Sequence, residues 1–317
     1  MHASARRLVD SLDHIRAAVD VEISRLAAEP VAAASRSEQA LAYALAAAGK
    51  RIRPLLCIAA FRAIAGTVQS TRRDGTAGEF GEVAAPLLRL GCAVELIHTY
   101  SLMHDDLPCM DDAPLRRNRP TAHVLHGSVP AMVAGLALIP RAFALLDQAA
   151  QDLGLTPETR ALLAHELATG AGAAGMVGGQ LMDLEAERRR LSAAELEQLQ
   201  ARKTGALLIA ALRVGARAAG ATTTQLEALT AYGCALGLAF QIADDLLDVT
   251  GREAVTGKAA GTDQALEKAT FPALLGVDAA RRRGWELVQS ARDALAPAGL
   301  DTPELLALAQ FAMDRNR

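Results

Sequence analysis

The sequence has few aromatic residues, 3% of its 317 positions, and little excess of either charge, with a formal net charge of −3. A chain with this balance has no global basic surface, which argues against nucleic-acid binding. It also lacks a CxxC pair or a Cys/His metal spacing, and its amphipathic N-terminus does not resemble a signal peptide. We therefore expect a cytoplasmic protein. The scattered cysteines are Cys57, Cys92, Cys109 and Cys234.

No apolar run is long enough to predict a membrane span. The longest, Val129 to Pro140, contains two prolines and is followed by Arg141. It is well short of the roughly 20 residues that a membrane helix requires. We interpret it as a core helix.

Ala and Leu dominate the 51% of the sequence that is apolar, and both residues favour helix over sheet. Apolar residues recur at helical spacing between Gly-, Pro- and Thr-rich segments, two of which, Thr67–Gly81 and Gly251–Asp263, we interpret as loops. These patterns predict an all-α fold, a large helical bundle that forms a single domain over residues 1–317. The periodic segments are Leu41–Ala48, Leu55–Ile64, Val83–Met103, Ala131–Leu146, Thr159–Leu181, Ala206–Ala219 and Leu226–Val249.

One acidic cluster lies in the segment AFQIADDLLDV. Asp248 lies four positions after Asp244 and three after Asp245, so the three carboxylates share one face of an otherwise apolar helix. Gln241 lies one turn earlier on that face. Three carboxylates repel one another unless a cation lies among them, and hard oxygen ligands suit Mg²⁺ or Ca²⁺. The alternative is a solvated acidic edge.

The other acidic cluster is the segment HDDLPCMDD. Asp105 and Asp111 are six positions apart, which on an unbroken helix would point them about 120° away from each other. Pro108 interrupts helical hydrogen bonding, so we expect the helix to kink or end there and both aspartates to face one ion. The alternative, an acidic helix C-terminus, opposes the helix dipole. The pattern therefore favours a metal site.

Basic residues accompany both acidic clusters. Carboxylates alone would repel an anionic ligand, so this combination is the one expected for a diphosphate bridged by metal ions. The basic groups and their neighbour Thr204 are Lys50, Arg51 and Arg53; Arg116 and Arg117; and Lys203, Lys258 and Lys268.

These motifs closely resemble those of the trans-prenyltransferase (polyprenyl synthetase) family, and the resemblance covers nearly the whole chain. The first acidic motif reads DDxxxxD rather than DDxxD, as in bacterial farnesyl and plant-type geranylgeranyl diphosphate synthases. The matching segments are GKRIRP at Gly49–Pro54, IHTYSLMHDDLPCMDD at Ile97–Asp112, LRRNRPTAH at Leu115–His123, GMVGGQLMDL at Gly175–Leu184, KTGALLIAALRVGA at Lys203–Ala216, LGLAFQIADDLLDVTG at Leu236–Gly251, and GKAAGTD with KATFPALLG within Gly257–Gly276.

The resemblance implies an isoprenoid synthase fold with a central active-site cavity, and Mg²⁺ bound at both acidic motifs. It also implies a homodimer, with isopentenyl diphosphate and an allylic diphosphate as the substrates. The implied metal residues are Asp105 and Asp111 for two ions and Asp244 for a third, with Asp106 and Asp245 beside them and Asp248 behind them.

The resemblance also implies roles for the cations. The residues implied for the allylic diphosphate are Arg116, Lys203 and Lys258. Those implied for isopentenyl diphosphate are Lys50, Arg53, His98 and Arg117. The Thr204 carbonyl and the Gln241 side chain are implied to stabilise an allylic carbocation. His98 precedes Asp105 by seven positions, two turns along the same helix face, although a histidine in an apolar helix is also an ordinary core residue.

Product length is expected to depend on side chains below the first aspartates. Helical geometry places Ser101 one turn below Asp105, whereas the family resemblance points to Tyr100. An aromatic floor at Tyr100 is typical of fifteen-carbon producers, so we expect farnesyl diphosphate, with geranylgeranyl diphosphate as the alternative. Tyr100 could equally be an ordinary core residue.

Four positions depart from the family pattern. Ala113 and Pro114 replace a run of aspartates, Ser128 replaces an acidic residue, and Leu136 replaces the aspartate of a Gly-Asp-Ala-Leu motif. These changes make a non-catalytic subunit of a heteromeric synthase a second hypothesis, although both metal motifs are intact. A class I terpene cyclase is a third, but it has no use for a second diphosphate site.

Overall fold

The computed structural model describes residues 3–28, 35–71, 83–186, 189, 191–250 and 269–314. These residues are predominantly helical, which confirms the predicted all-α class. The described residues also contain one small sheet, a hairpin whose two strands, β1 (Leu115–Arg116) and β2 (Arg119–Pro120), have two residues each. The helices are α1 (Ala3–Ala28), α2 (Arg36–Leu45), α3 (Ile52–Thr71), α4 (Ala85–Asp105), α5 (Ala122–His126), α6 (Ser128–Asp152), α7 (Pro157–Ala171), α8 (Met176–Ala186), α9 (Ala193–Gln200), α10 (Ala206–Ala218), α11 (Thr223–Thr250), α12 (Phe271–Leu275), α13 (Val277–Leu295) and α14 (Pro303–Met313). A π-helical turn (Ala201–Gly205) precedes α10, and a 3₁₀ turn (Ala296–Ala298) follows α13.

Local sequence explains where two of the helices, α2 and α9, begin. Ser35 accepts a hydrogen bond from the backbone of Glu38, whose carboxylate accepts one from the backbone of Ser35, and Ser192 and Glu195 repeat this arrangement before α9. Each of these capping boxes satisfies backbone N–H groups that have no partner inside the helix.

The chain divides into two compact units. Unit 1 comprises Met1–Ile58 and Gly75–Ala164, and unit 2 comprises Ala59–Asp74 and His165–Arg317. In unit 1, α4 packs along α6, and α1, α2 and α5 pack around this pair. In unit 2, α11 packs against α10, α13 and α14. The single domain and central cavity expected from the sequence stay predictions.

Apolar side chains fill the core of each unit. Leu96 and Ile97 of α4 are fully buried in unit 1. In unit 2, Tyr232 of α11 is fully buried, and its hydroxyl donates a 2.8 Å hydrogen bond to the carbonyl of Leu305. A buried tyrosine needs such an acceptor for its polar end. The bond joins α11 to α14.

Two predictions about the elements are wrong in part, and a third is not tested. The segment Thr159–Leu181 forms two helices rather than one, with a break at Gly172–Gly175, where a Cβ atom added to Gly175 would lie 2.3 Å from the carbonyl oxygen of Gly170. The loop predicted from Thr67 is helical up to Thr71, and its residues 72–81 lie outside the described part. The second predicted loop, Gly251–Asp263, lies outside it entirely.

The stretch interpreted as a core helix forms part of α6, but only one side of it is buried. Ala131 and Leu138 are fully buried, whereas Val129 is 66% exposed and Leu136 is 51% exposed. An apolar stretch in a helix does not by itself reveal which of its faces meets the core. The prediction is therefore right for one face of α6 and wrong for the other.

Two helices are long enough and apolar enough to cross a membrane, Ser128–Asp152 and Thr223–Val249. The most apolar window of the second is 61% buried and that of the first is 33% buried. A core helix of a soluble protein has the same length and composition, so the two helices are weak evidence for a membrane location.

Glycine allows the π-helical turn to approach its neighbours within unit 2. A Cβ atom added to Gly179 of α8 would lie 2.1 Å from the backbone nitrogen of Lys203, and one added to Gly237 would lie 2.8 Å from the Cα atom of Gly205. Backbone atoms cannot move aside as a flexible side chain can. The position of Lys203 therefore depends on the glycine in α8.

We expect Gly179→Ala to destabilise the protein by about 1–3 kcal/mol or more, because an added methyl group would overlap the backbone of Lys203. Gly66→Ala is the matched control, since Gly66 lies in α3 with no atom within 4 Å of its added Cβ. This control should be neutral or stabilising by up to about 1 kcal/mol. Urea unfolding of both variants measures the difference, and equal stability of the two would contradict this packing argument.

Candidate active site

The first acidic motif lies where α4 ends. The helix ends at Asp105, and the backbone N–H of Asp111 donates a 2.9 Å hydrogen bond to the carbonyl of Asp105 across the turns that contain Pro108. This bond brings the two aspartates together although six positions separate them. The predicted interruption of the helix near Pro108 is confirmed.

The last turn of α4 is fixed against α6. The Nε2 atom of His104 lies 3.0 Å from the carbonyl oxygen of Met132, and a Cβ atom added to Gly135 would lie 2.5 Å from the His104 ring. The absence of a side chain at Gly135 therefore leaves room for the His104 imidazole. Because His104 directly precedes Asp105, this contact also fixes the start of the acidic motif.

The hairpin after the acidic motif carries two of the predicted cations. Its turn residues, Arg117 and Asn118, have φ angles of 54° and 59°, the left-handed conformation of a tight two-residue hairpin. Arg116 reaches back to Asp106, with its Nε atom 2.8 and 2.9 Å from the two carboxylate oxygens and its Nη2 atom 2.7 Å from one of them. Arg117 donates to the carbonyl of Ala48.

The three cations of the segment GKRIRP have different surroundings. Arg51 is 7% exposed and forms ion pairs with Asp20 at 2.7 Å and Glu95 at 3.1 Å, so it is a structural residue. Lys50 is exposed and Arg53 is half-buried, which leaves these two as the candidates for binding a ligand. Sequence reasoning assigned no role to Glu95. An acidic residue in the apolar stretch Gly91–Ile97 was the signal that could have identified it.

Unit 1 contains a cavity of about 150 Å³ bordered by α2, α4 and the hairpin. Its wall is mostly apolar, and its charged lining residues are Arg51, Glu95, Asp106, Arg116, Arg117 and Arg119, with His98 beside them. His98 is half-buried. Burial is the main cause that holds its pKa well below 6.5, and nearby positive charges add to the effect, those of Arg53, Arg117, Arg116 and Arg51. A neutral imidazole can lie among the guanidinium groups without adding to the repulsion between them. It keeps one ring N–H that can donate to an anion.

The three aspartates of the second motif occupy different environments on α11. Asp244 is exposed and Asp248 is half-buried, whereas Asp245 is 3% exposed. Asp245 accepts a 2.8 Å hydrogen bond from the amide nitrogen of Gln241 and a 2.9 Å bond from the backbone N–H of Phe271. The shared helix face therefore holds two solvent-accessible carboxylates and one internal carboxylate.

Lys203 and Thr204 lie on the π-helical turn of unit 2. Such turns are often found at functional sites. Lys203 forms an ion pair with Asp183 of α8, and the Thr204 hydroxyl lies 3.4 Å from the side-chain oxygen of Gln241. Asp183 received no role from the sequence, although it belongs to the segment GMVGGQLMDL. Lys258 lies outside the described residues.

The two candidate residues for product length lie on α4 of unit 1. Tyr100 is 9% exposed, and its ring meets that of His104 edge to face, with 5.4 Å between centroids. Burial raises the pKa of its phenol, and the charge of Asp105 adds to the effect. Ser101 donates a 2.9 Å hydrogen bond to the carbonyl of His98. Tyr100 is the bulkier of the two and the more deeply buried.

The positions that depart from the family pattern are accommodated locally. Thr121, 2% exposed, donates to the carbonyl of Ala113 at 2.8 Å, and its backbone N–H donates to the carbonyl of Pro114 at 3.1 Å. These carbonyls order the loop without acidic side chains. Ser128 and Leu136 lie on the exposed side of α6.

The oxygen donors of both motifs suit a hard divalent cation. Carboxylates at Asp105 and Asp111 in unit 1, and at Asp244 and Asp248 in unit 2, are the ligand type that Mg²⁺ prefers. Among the described residues no group of three His, Cys, Asp or Glu side chains converges as a preformed metal site. The carboxylate donors therefore fit Mg²⁺. The described side chains alone do not form a complete set of ligands around one ion.

Comparison with known proteins gives the family. The polyprenyl synthetase family model matches residues 35–294. The chain is 42% identical over 283 residues to the farnesyl diphosphate synthase of Escherichia coli (strain K12), covering 88% of this chain and 89% of that one. It is 37% identical over 315 residues to geranylgeranyl pyrophosphate synthase 9, chloroplastic, of Arabidopsis thaliana, covering 98% of this chain and 81% of that one.

Solved structures agree with this result. The geranyltransferase of Helicobacter pylori, complexed with magnesium and isoprenyl diphosphate, aligns with a TM-score of 0.78 at 28% identity, covering 99% of this chain and 97% of that one. The chain belongs to the polyprenyl synthetase family. It is a prenyltransferase by this membership, and the expected family, fold and enzyme class are confirmed.

The lowered pKa of His98 predicts a pH dependence of stability. Because the folded-state pKa lies below the unfolded value of about 6.5, the unfolded chain binds more protons between the two values. Stability is therefore highest above about pH 6.5 and is lost as the pH falls through this window. We expect the free energy of unfolding to fall more steeply from about pH 7.5 to about 5.5 in the wild type than in His98→Gln. Parallel urea-unfolding profiles for the two proteins would contradict this prediction.

Proposed function

We propose that the protein condenses isopentenyl diphosphate with an allylic diphosphate, dimethylallyl or geranyl, releases diphosphate, and makes farnesyl diphosphate as its main product. Family membership and the farnesyl diphosphate synthase relatives support this proposal. The main structural support is the first acidic motif. There the backbone N–H of Asp111 donates a hydrogen bond to the carbonyl of Asp105, and Arg116 lies beside both aspartates. This arrangement combines carboxylates for a cation with a guanidinium for an anion.

The polyprenyl synthetase family uses a divalent metal, and we infer that it is Mg²⁺, with three ions per site. When bound, Mg²⁺ supplies positive charge that stabilises the departing diphosphate. The residues proposed to hold it are Asp105 and Asp111 in unit 1 and Asp244 in unit 2, with Asp106, Asp245 and Asp248 beside them.

The remaining roles belong to the cations and dipoles of the protein. Isopentenyl diphosphate would be bound through its diphosphate and left with its double bond facing the allylic carbon. As the allylic carbon–oxygen bond breaks, diphosphate departs and the double bond attacks the resulting carbocation. The released diphosphate would accept the proton that is then lost. The proposed isopentenyl diphosphate ligands are Lys50, Arg53, His98 and Arg117, and the proposed allylic diphosphate ligands are Arg116, Lys203 and Lys258. The Thr204 carbonyl and Gln241 would stabilise the carbocation.

Exclusion of water is part of the proposed catalysis. Two unit charges about 4 Å apart attract by about 1 kcal/mol in water and by about 4 kcal/mol at an effective dielectric of about 20. The mostly apolar wall around His98 and Arg117 provides such surroundings in unit 1. Preorganised cations in a dry site stabilise developing charge without reorganising at the moment of reaction.

Farnesyl diphosphate is the favoured product because buried Tyr100 would block a longer chain. Geranylgeranyl diphosphate is the alternative, and the similarity to an Arabidopsis thaliana geranylgeranyl pyrophosphate synthase supports it. We further propose a cytoplasmic homodimer that is active without a second type of subunit. Light scattering of the purified protein measures the assembly.

We expect Asp105→Ala and Asp244→Ala to lower turnover by orders of magnitude, because each removes a proposed metal ligand. Asp278→Ala is the control, since Asp278 is an aspartate of the same type on α13 whose side chain is 86% exposed. Steady-state product formation from isopentenyl and geranyl diphosphate with Mg²⁺ measures the effect. Near-normal turnover of folded Asp105→Ala or Asp244→Ala would refute the metal assignment.

We expect Tyr100→Ala to shift the product from farnesyl towards geranylgeranyl diphosphate, because it removes the proposed floor beneath the growing chain. Ser101→Ala tests the neighbouring position that helical geometry alone favours. Chromatography of the dephosphorylated products identifies chain length. An unchanged product distribution in Tyr100→Ala would rule out this residue as the floor.

A further inference from the structure

Two carboxylates lie among the cations assigned to isopentenyl diphosphate, although that substrate is itself an anion. Asp20 of α1 and Glu95 of α4 both form ion pairs with Arg51. In the sequence, Arg51 lies between two of the proposed ligands, Lys50 and Arg53. We propose that Asp20 and Glu95 are positioning residues that act through Arg51 to hold the ligands of isopentenyl diphosphate in place, without contacting the substrate themselves. This inference rests on the proposed function.

The side chain of Arg51 is held at three points. Its Nε atom donates to Asp20 at 2.7 Å, one Nη atom donates to Glu95 at 3.1 Å, and the other donates to the carbonyl of Ala47 at 2.8 Å. The guanidinium therefore joins α1, α4 and the segment after α2, all within unit 1. Charge-assisted pairing of a planar guanidinium with carboxylates is strong and directional, so this side chain has little freedom to move.

The backbone at Arg51 has a conformation that few residues adopt. Its φ angle is 50°, in the left-handed region that is unfavourable for residues other than glycine. Lys50 directly precedes this position, α3 begins directly after it at Ile52, and Arg53 lies in the first turn of that helix. The conformation at Arg51 therefore sets the position of Lys50 relative to Arg53. If the side chain of Arg51 were released, the strained backbone would relax and the two ligands would lose this arrangement.

Glu95 also lies near another proposed ligand, Arg117. A Cβ atom added to Gly49 would lie 3.0 Å from an Nη atom of Arg117 and 3.2 Å from one of Arg51, so the two guanidinium groups approach the same point. Like charges this close repel each other. Burial is the main cause that lowers the pKa of Arg117, and the negative charge of Glu95 counteracts it. Glu95 therefore allows Arg51 and Arg117 to lie side by side before an anion binds.

Glu95 occupies a place where a carboxylate is unfavourable. It is 4% exposed, and among the described residues its Oε2 atom is buried without a hydrogen-bond partner. Such an atom destabilises the folded protein, and a negative charge near a diphosphate also opposes its binding. If Glu95 acted through its charge alone, neutralising it would strengthen diphosphate binding. If it positions the cations, neutralising it would weaken diphosphate binding, so the direction of the change separates the two roles.

Asp20 supports the same arrangement from a different helix. Its side chain is 46% exposed, so it is not part of the apolar contacts that anchor α1. Those contacts come from buried side chains, among them Ile15, Val19 and Ile23. A neutral substitution at Asp20 should therefore leave α1 in place while it loosens the contact with Arg51.

The test compares Asp20→Asn and Glu95→Gln with a matched control, Glu22→Gln. Each substitution nearly keeps the size of the side chain and removes its charge. Glu22 lies on α1 two positions after Asp20, and its carboxylate pairs with Arg89 of α4 rather than with Arg51. Glu22→Gln therefore weakens the docking of α1 on α4 without releasing Arg51.

Steady-state kinetics with Mg²⁺ measures the two substrates separately. We expect KM for isopentenyl diphosphate to rise about fivefold or more in Asp20→Asn and about tenfold or more in Glu95→Gln, while KM for geranyl diphosphate stays within about twofold in both. In Glu22→Gln both KM values should stay within about twofold of the wild type. An unchanged KM for isopentenyl diphosphate in either positioning variant would overturn the proposal for that residue. A lower KM in Glu95→Gln would show that Glu95 acts only as a local charge, which contradicts the proposal.

Direct binding separates positioning from a purely structural role. Isothermal titration calorimetry of the enzyme with isopentenyl diphosphate gives Kd without turnover, and we expect Kd to rise by the same factors as KM. Melting curves of the same proteins measure stability. A lower melting temperature with an unchanged Kd would mean that Asp20 or Glu95 only stabilises the fold, and it would contradict the positioning role.

A double variant tests whether Asp20 acts through Arg51. In an Arg51→Gln background, Asp20→Asn should change Kd by less than about twofold, because the interaction is already lost. A further rise of about fivefold would show that Asp20 acts by another route and would contradict the proposal. If Glu95→Gln does not fold, Asp20→Asn carries the test, since the Asp20 side chain is 46% exposed.

The wild-type enzyme separates this inference from the proposed function. A wild-type enzyme that forms no product would refute the proposed function itself. An active wild type whose affinity for isopentenyl diphosphate is unchanged by Asp20→Asn and Glu95→Gln refutes only this inference.

Discussion

Pairing of carboxylates with cations is the interaction on which the rest of this structure depends. An enzyme for anionic, apolar substrates must keep positive charge in surroundings with little water, and an unpaired buried charge is costly. Arg116 is held by Asp106, Arg51 by Glu95, and Lys203 by Asp183. The cations are therefore in place before any substrate arrives.

These pairs also explain why the local backbone is so constrained. Arg51 and Arg117 adopt positive φ angles of 50° and 54°, which non-glycine residues adopt at a cost. At Arg51 the ion pairs with Asp20 and Glu95 offset that cost, and the hairpin turn requires it at Arg117. Gly179 has the opposite role, because it removes a side chain where α8 meets the π-helical turn. Backbone strain and close packing thus occur where the positions of charged side chains, such as Arg51, Arg117 and Lys203, must be fixed.

Much of this arrangement could be predicted from the sequence because it is local. The interruption of α4 near Pro108 follows from the chemistry of proline, and the shared face of Asp244, Asp245 and Asp248 follows from helical spacing. The all-α class follows from composition and periodicity. In each case residues close in sequence determine the outcome.

The features that could not be predicted involve residues far apart in sequence or a choice between helix faces. Asp183 and Lys203 are 20 positions apart and pair only because α8 packs on the π-helical turn. Spacing placed Asp245 with Asp244, but it could not show that Asp245 would be buried and would accept a hydrogen bond from the backbone of Phe271. Likewise, the apolar sequence of α6 could not indicate that Leu136 would be exposed. Tertiary packing decides such questions.

The most direct test of the account is product analysis of the purified wild-type protein with isopentenyl diphosphate and geranyl diphosphate, with Mg²⁺ present or chelated. The account predicts farnesyl diphosphate and released diphosphate when Mg²⁺ is present, with no second protein required. It predicts that EDTA abolishes the product and that restored Mg²⁺ recovers it. Absence of a condensed product with geranyl or dimethylallyl diphosphate, or product formation that EDTA does not affect, would contradict it.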